Sequence, residues 1–293
     1  MSSILKDFAS FLEDRGLVIA NEDAISQVPS EDYSFSQSIF KNREVLVPLL
    51  CTLAIGIREG KNPITYRISY KGGMAIVRQF LQDLVNKFLC NLKKRNLISE
   101  WHLKSDCQYE ISVSADEDKR RFFRSAWAEQ VFRYVIMKTV QTFCTSRKIS
   151  VKSFQNVKLK QKDDDNDFTE LDLVVQIKNR FYIFEVKSGP CINIMQWAKR
   201  ENSLVMGNEV VRNIVCTVHD SIPDKIFEPQ LLLKLNNIEK ELGKILESDF
   251  PNEYSNSINT DSSSVPCALC DSASLRDTHN SLKRSGYEEK KRT

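Results

Sequence analysis

Two runs near the middle of the chain, Glu170-Leu171-Asp172-Leu173-Val174-Val175 and Phe181-Tyr182-Ile183-Phe184-Glu185-Val186-Lys187, constrain the fold more than any other feature. Each is apolar on both sides of the pleat apart from a few charges, the pattern of strands enclosed in an interior or a cleft. The gap between them is short enough to close as a hairpin over a two-residue turn, Lys178-Asn179, with Asn179 able to accept a left-handed backbone. Side chains alternate along a strand, so Glu170, Asp172 and Val174 share one face, and Phe181, Ile183, Glu185 and Lys187 share one. The turn then sets Asp172 opposite Glu185, and Glu170 opposite Lys187, with directly opposed Cβ atoms about 4.5 to 5.5 Å apart.

Two carboxylates at that spacing repel unless a cation lies between them. Hard oxygen donors, with no His near the hairpin, suit Mg²⁺ or Mn²⁺ and not Zn²⁺. Lys187 follows Glu185 on the same face, where it would position a water or stabilise charge accumulating on a phosphate. A blander reading pairs Glu170 with Lys187 on a solvent-facing hairpin and leaves the other acids hydrated. The apolar runs around the acids favour a site, because charges in an interior need a purpose.

The flanks organise around this hairpin. At 293 residues the chain exceeds the usual size of one domain. A short helix is expected from Ile4, Leu5, Phe8, Phe11 and Leu12, stopping at Gly16, followed by a polar connector over 21–37. The apolar run from Val45 to Ile57 must be buried as helix or strand. Next come a helix over 74–94 with a stripe of Val77, Leu81, Leu84, Phe88 and Leu92, then two short strands, Trp101 to Leu103 and Tyr109 to Val113. Helix followed by hairpin resembles half a winged helix. The charged, turn-like stretch 116–121 makes the domain boundary, and a core helix follows, apolar nearly all round from Phe123 to Val140. Beyond it we expect a strand over 153–159, the hairpin over 170–187, a helix over 193–206, a strand over 214–218 and a helix over 229–246. The fold class is α/β: an N-terminal module over 1–115, mainly helical and winged-helix-like, a second domain over 116–250, and a tail over 251–293 expected to be disordered.

Glu170-Leu171-Asp172, then Asn179-Arg180-Phe181, then Phe184-Glu185-Val186-Lys187-Ser188-Gly189 resemble the core motif of the PD-(D/E)xK, restriction-endonuclease-like nucleases. The resemblance is closest to the nuclease domain of CRISPR ancillary nucleases activated by cyclic oligoadenylate, and it runs from about Phe122 to Val218. It implies an αβββαβ core, Mg²⁺- or Mn²⁺-dependent endonuclease activity on DNA or RNA, and a defence or CRISPR-associated role. It also implies catalytic positions at Asp172, Glu185, Lys187, Glu129, Glu170 and Gln196, and a metal held by Asp172, Glu185, Val186 and Glu129. Trp127-Ala128-Glu129 resembles the family's tryptophan-and-glutamate signature, with Glu129 as an outer metal-site acid. The alternative for Glu129 is an i,i+4 pair with Arg133. The residues before the core are short for the Rossmann-type nucleotide sensor of those nucleases, and Gly72-Gly73 is more simply a turn than a phosphate contact.

The net charge of +3, from 42 basic and 39 acidic side chains, gives no argument for a polyanionic partner by itself, so local clusters must carry it. Lys93-Lys94-Arg95, Lys119, Arg120, Arg121 and Arg124, Lys158, Lys160 and Lys162, and Lys199-Arg200 are candidates to meet phosphate, although most such charges are simply solvated. The acidic run 163–167 is read as a loop pointing away. Scattered cysteines inside apolar stretches suit a reducing, cytoplasmic compartment, and no segment reads as a signal or membrane span. Cys267-Ala268-Leu269-Cys270 with His279 lacks the second pair of a zinc clip, and His102 and His219 have no recognisable partner. The expected partners are a nucleic-acid substrate and a second copy of the chain. A non-catalytic nucleic-acid-binding regulator with a nuclease-like fold stands as the alternative.

Overall fold

The computed structural model describes residues 3–14, 16–20, 30–69, 75–105, 107–161, 167–188, 211–220 and 231–251, all within one compact unit spanning Met1–Pro251. The expected helix over 193–206, Gln196, Gly72-Gly73, Lys162, most of the acidic run, Lys199-Arg200, Cys267, Cys270, His279 and the tail lie outside the described residues.

The N-terminal helix α1 (Ser3–Glu13) buries Phe8 and Leu12 and ends at Gly16, whose φ of 71° a side chain would resist. The expected polar connector is helical over its second half: α2 (Ser30–Lys41) carries Phe35, Ile39 and Phe40 inward, a four-residue spacing masked in the sequence by the serines between them. The run of unassigned type is α3 (Arg43–Arg58). Its buried residues, Leu46, Leu49, Leu50, Leu53, Ala54 and Ile57, recur every three or four positions despite Pro48 inside the helix.

Strand β2 (Ile64–Arg67), not anticipated, pairs with β4 (Gln108–Val113), and β4 with β3 (Ile98–Ser105), in a three-stranded sheet of order β2-β4-β3. Four residues with alternating burial are too short to read from sequence. Between β2 and β3 lies α4 (Ala75–Lys94), buried at Val85, Phe88, Leu89 and Leu92. Only the C-terminal half of the expected stripe is inside; Ile76 is 83% exposed and Phe80 63%. Two cations of the basic cluster lie over rings, Lys93 5.7 Å from the centroid of Trp101 and Arg95 4.5 Å from that of Phe35.

The stretch 116–121 is not a turn. Asp116 accepts from the amide of Asp118 and caps α5 (Glu117–Arg121), which runs through a π-helical segment (Phe122–Ala126) into α6 (Trp127–Ser146). Three cations at this junction are held locally: Lys119 pairs with Asp116, Arg120 donates to the Ser114 carbonyl, and Arg124 pairs with Glu117. α6 is apolar nearly all round, as expected of a core helix, and apolar residues from both sides of position 115 meet in one continuous core.

The second sheet has six strands in the order β1-β5-β6-β7-β8-β9. These are β1 (Leu17–Ile19), β5 (Val151–Gln161), β6 (Asp167–Ile177), β7 (Arg180–Lys187), β8 (Val211–Thr217) and β9 (Leu231–Lys234). Pairing is antiparallel from β1 to β7 and parallel from β7 to β9, so the expected α/β class holds with a mixed sheet. The helix expected over 229–246 is a strand and a shorter helix: Leu231–Lys234 joins the sheet and α7 (Ile238–Asp249) follows. The run Leu231-Leu232-Leu233 fits either state, and parallel pairing with β8 decides for strand. One face of the sheet packs on α6 and the rest of the large core, while the other is covered by α1 through Phe8, Phe154, Val174, Phe181 and Ile183. Among the described residues no helix is long and apolar enough to cross a membrane.

Candidate active site

β6 and β7 pair from Ile177↔Arg180 to Leu173↔Phe184, the register that a two-residue turn imposes. The left-handed residue of that turn is Lys178, at φ 53°, and not Asn179. Beyond Leu173 the ladder stops, so Asp172 and Glu185 are not a ladder pair. Asp172 Oδ2 instead accepts a hydrogen bond from the amide of Val186 at 2.7 Å. The other side of β6 is irregular at the same level. There the ladder passes from Leu173↔Gln155 to Leu171↔Val157 across Asn156, whose φ is 50°. Opposite it on β6 the alternation breaks: Leu171 and Val174 both enter the core under α1, although strict alternation would put them on opposite faces. Asp172 occupies the kink where β6 parts from β7.

Glu185 is 4% exposed, and its Oε1 contacts Lys187 Nζ. Parallel β8 holds this end of β7, with Glu185 opposite Val215 and Lys187 opposite Thr217. Burial pushes the Asp172 carboxyl up to about 7. The negative charge of Glu129 adds to the rise, the Val186 amide and the Lys187 ammonium oppose it, and Glu170 adds slightly. The Cys216 thiol is likewise raised, first by burial and then by Asp172 and Glu185. Asp172, Glu185 and Lys187 thus share one neighbourhood: the ammonium acts on both acids, and one thiol feels both.

The remaining expected residues are placed differently. Glu170 is exposed and stands opposite Lys158 on β5, while Lys187 is drawn to Glu185, so the anticipated Glu170–Lys187 pair is replaced. Glu129, in the first turn of α6, is close enough for its charge to be felt by Asp172. Arg133, its anticipated helix partner, donates from Nη2 to Asn156 Oδ1 at 3.2 Å, beside the same kink. Val186 offers a metal only its carbonyl, since its side chain has no donor atom.

A divalent cation suits the chemistry of this donor set. Asp172 keeps its proton up to about pH 7 because burial and neighbouring acids leave it too little positive charge, a deficit that a cation relieves. Glu185 is already offset in part by Lys187. Among the described residues no group of three or more His, Cys, Asp or Glu side chains could hold a metal ion.

Two residues at this end of the sheet, Ser188 of the motif and His219, have contacts that the sequence did not reveal. Ser188, directly after Lys187, donates from Oγ to the carbonyl of Arg124 at 2.8 Å, tying the end of β7 to the π-helical segment before Glu129. His219 donates from Nε2 to the Ser188 carbonyl at 3.0 Å. The available signal was a histidine just past the short apolar strand β8; its meaning required knowing that β8 lies parallel to the motif strand.

No family model and no curated protein matches the chain. Its structure resembles protein VC1899 from Vibrio cholerae over 82% of this chain and 60% of that one, at 16% identity and a TM-score of 0.48. It also resembles a type III CRISPR defence DNA nuclease activated by cyclic oligoadenylate, over 72% of this chain and 23% of that one, at 13% identity and a TM-score of 0.31. The chain therefore spans about 60% of the length of the first and less than a quarter of the second.

Proposed function

We propose that this chain is a metal-dependent phosphodiester hydrolase acting on DNA or RNA, with a restriction-endonuclease-like core formed by α6, β5, β6, β7 and β8. The observation that carries the reading is the docking of Asp172 onto the Val186 amide, between the acid and the amine of the Glu185-Val186-Lys187 motif. A bound Mg²⁺ or Mn²⁺ would polarise a phosphoryl oxygen and acidify a water. Asp172 and Glu185, with the Val186 carbonyl, would hold that ion, and Glu129 would orient the outer side of the site. Lys187 would face the scissile phosphate and stabilise its growing charge. Ser188 fixes the direction in which Lys187 leaves the sheet by anchoring the next residue to Arg124.

The test is incubation of the purified chain with plasmid, single-stranded DNA and RNA in Mg²⁺ or Mn²⁺. At least one substrate is cut, Asp172→Ala abolishes the cutting, and Lys187→Ala reduces it by about a hundredfold or more. The lack of a three-acid cluster among the described residues favours a second reading, a nucleic-acid-binding regulator that keeps the fold without the chemistry. Binding with no metal-stimulated cleavage, unaltered by those substitutions, decides for that reading.

A further inference from the structure

Beside the candidate site lies a cavity of about 150 Å³, walled by α3 on one side and by Trp127, Ser188 and His219 on the other. From α3 come Cys51, Ala54 and Ile55, with Arg58 one turn further along. Drug-sized ligands occupy roughly 300–1,000 Å³, so this space takes one small ring system and little more. Its walls are mainly apolar. Burial raises the Cys51 thiol to about 11, against a smaller opposing effect of Arg58, so Cys51 stays neutral and behaves as part of that wall. Ile55, 51% exposed, is a large apolar side chain left at the rim. The hydrogen-bonding groups are few: Ser188, His219 and the exposed Arg58.

Its location names the occupant. Ser188 follows Lys187 directly, and Trp127 precedes Glu129 by two residues on α6, so the cavity and the candidate phosphate site share both supporting elements. A strand with one phosphate at Lys187 would have its neighbouring base beside the cavity that Ser188 lines, and Arg58 would add positive charge there. We propose that this cavity receives an unstacked nucleobase adjacent to the phosphate held at Lys187, with Trp127 and Ile55 against the ring and His219 and Arg58 at its polar edge. The inference rests on the nuclease reading for its phosphate position. It makes an unpaired or extruded base part of what the protein recognises, since a base inside a stacked duplex cannot enter.

The experiment measures binding by the full chain, with Ca²⁺ replacing Mg²⁺ or Mn²⁺, of a short fluorescein-labelled single-stranded oligodeoxynucleotide and of its fully abasic counterpart. The base-bearing strand binds roughly tenfold more tightly or better. That preference collapses in Ala54→Trp, which fills the cavity, and in Ile55→Glu, which changes an already half-exposed helix position and so spares the fold. Equal binding of the two strands by the parent, no binding of either, or a preference that survives in an Ile55→Glu variant of native circular dichroism each overturns the inference. Cleavage in Mn²⁺ is scored in parallel. Asp172-dependent cutting with a cavity-independent preference removes the base site alone, whereas a cavity-dependent preference without cutting removes only the nuclease reading.

Discussion

Asp172 and Asp249 are both carboxyls turned inward, and their neighbours drive them in opposite directions. Asp172 lacks positive charge and is held at about 7. Its native pKa lies above the ordinary value near 4, so the folded state keeps a proton that the unfolded state loses, and stability falls as pH rises from about 4 to about 7. Asp172→Asn, which can still accept from the Val186 amide, should therefore be more stable than the parent at pH 8 without divalent metal, by about 1–3 kcal/mol, with the gap closing near pH 4. Urea denaturation across that range checks this; a gap independent of pH rejects the assignment. Burial pushes Asp249 up as well, but bonds from Arg212 and Tyr182 and the charges of Arg212 and Arg180 outweigh it and leave the carboxyl below its usual range. Its contribution is present above about 4 and is lost as pH falls through the depressed value, so Asp249→Asn should flatten the acid limb of the stability profile. Lys187→Ala should lower cleavage roughly 10²–10³-fold, the cost of one preorganised donor at a developing anion, and Lys187→Arg should restore little because the guanidinium has a different reach.

Two contacts between elements decide how the sheets are held. At the end of the six-stranded sheet away from the candidate site, α7 is latched by Asp249, which takes Arg180 and Tyr182 of β7 and Arg212 of β8. Breaking this latch leaves two partly buried cations uncompensated, so Asp249→Asn should cost about 2–3 kcal/mol at neutral pH, read as a lower urea midpoint. Between α3 and β2 the approach is set by Gly56: a Cβ there would lie 2.7 Å from Cγ1 of Ile64. That atom belongs to a buried, β-branched side chain with little freedom to move, so Gly56→Ala should destabilise by about 1–3 kcal/mol although alanine is the better helix former. A Gly56→Ala chain as stable as the parent would show that the helix and strand can move apart.

Across the whole molecule, a cation bound to the folded chain alone must stabilise it by mass action. Mn²⁺ at about a hundred times its Kd should add roughly 2.7 kcal/mol and raise Tm, and the gain should vanish in Asp172→Asn and Glu185→Gln. An equal rise in parent and variants would mean that the ion binds elsewhere. Apolar side chains from α2, α3, α4 and both sheets form one continuous core with α6, so Gly56→Ala or a change in α3 should be felt in a single cooperative unfolding transition.

Much of the hairpin was determined by the sequence itself. Alternation and a two-residue gap fix the register from Ile177↔Arg180 to Leu173↔Phe184, since a slip by one would move every apolar side chain to the wrong face. The core helix around Val131 and Val135 was legible for the same reason: periodicity is local and survives in the chain. What lay beyond reading came from contacts between distant segments. Opposite the left-handed Asn156 of β5, Asp172 is an acceptor for the Val186 amide and not the expected ladder partner of Glu185, and nothing in the residues around Asp172 announces this. Leu231–Lys234 became a strand because β8 offered it a parallel edge. Ser188 and His219 acquired a place beside Lys187 only when α6, β7 and β8 were brought to one end of the sheet. Local spacing chose which side chains face together; tertiary pairing, which depends on partners far along the chain, decided what each of them touches.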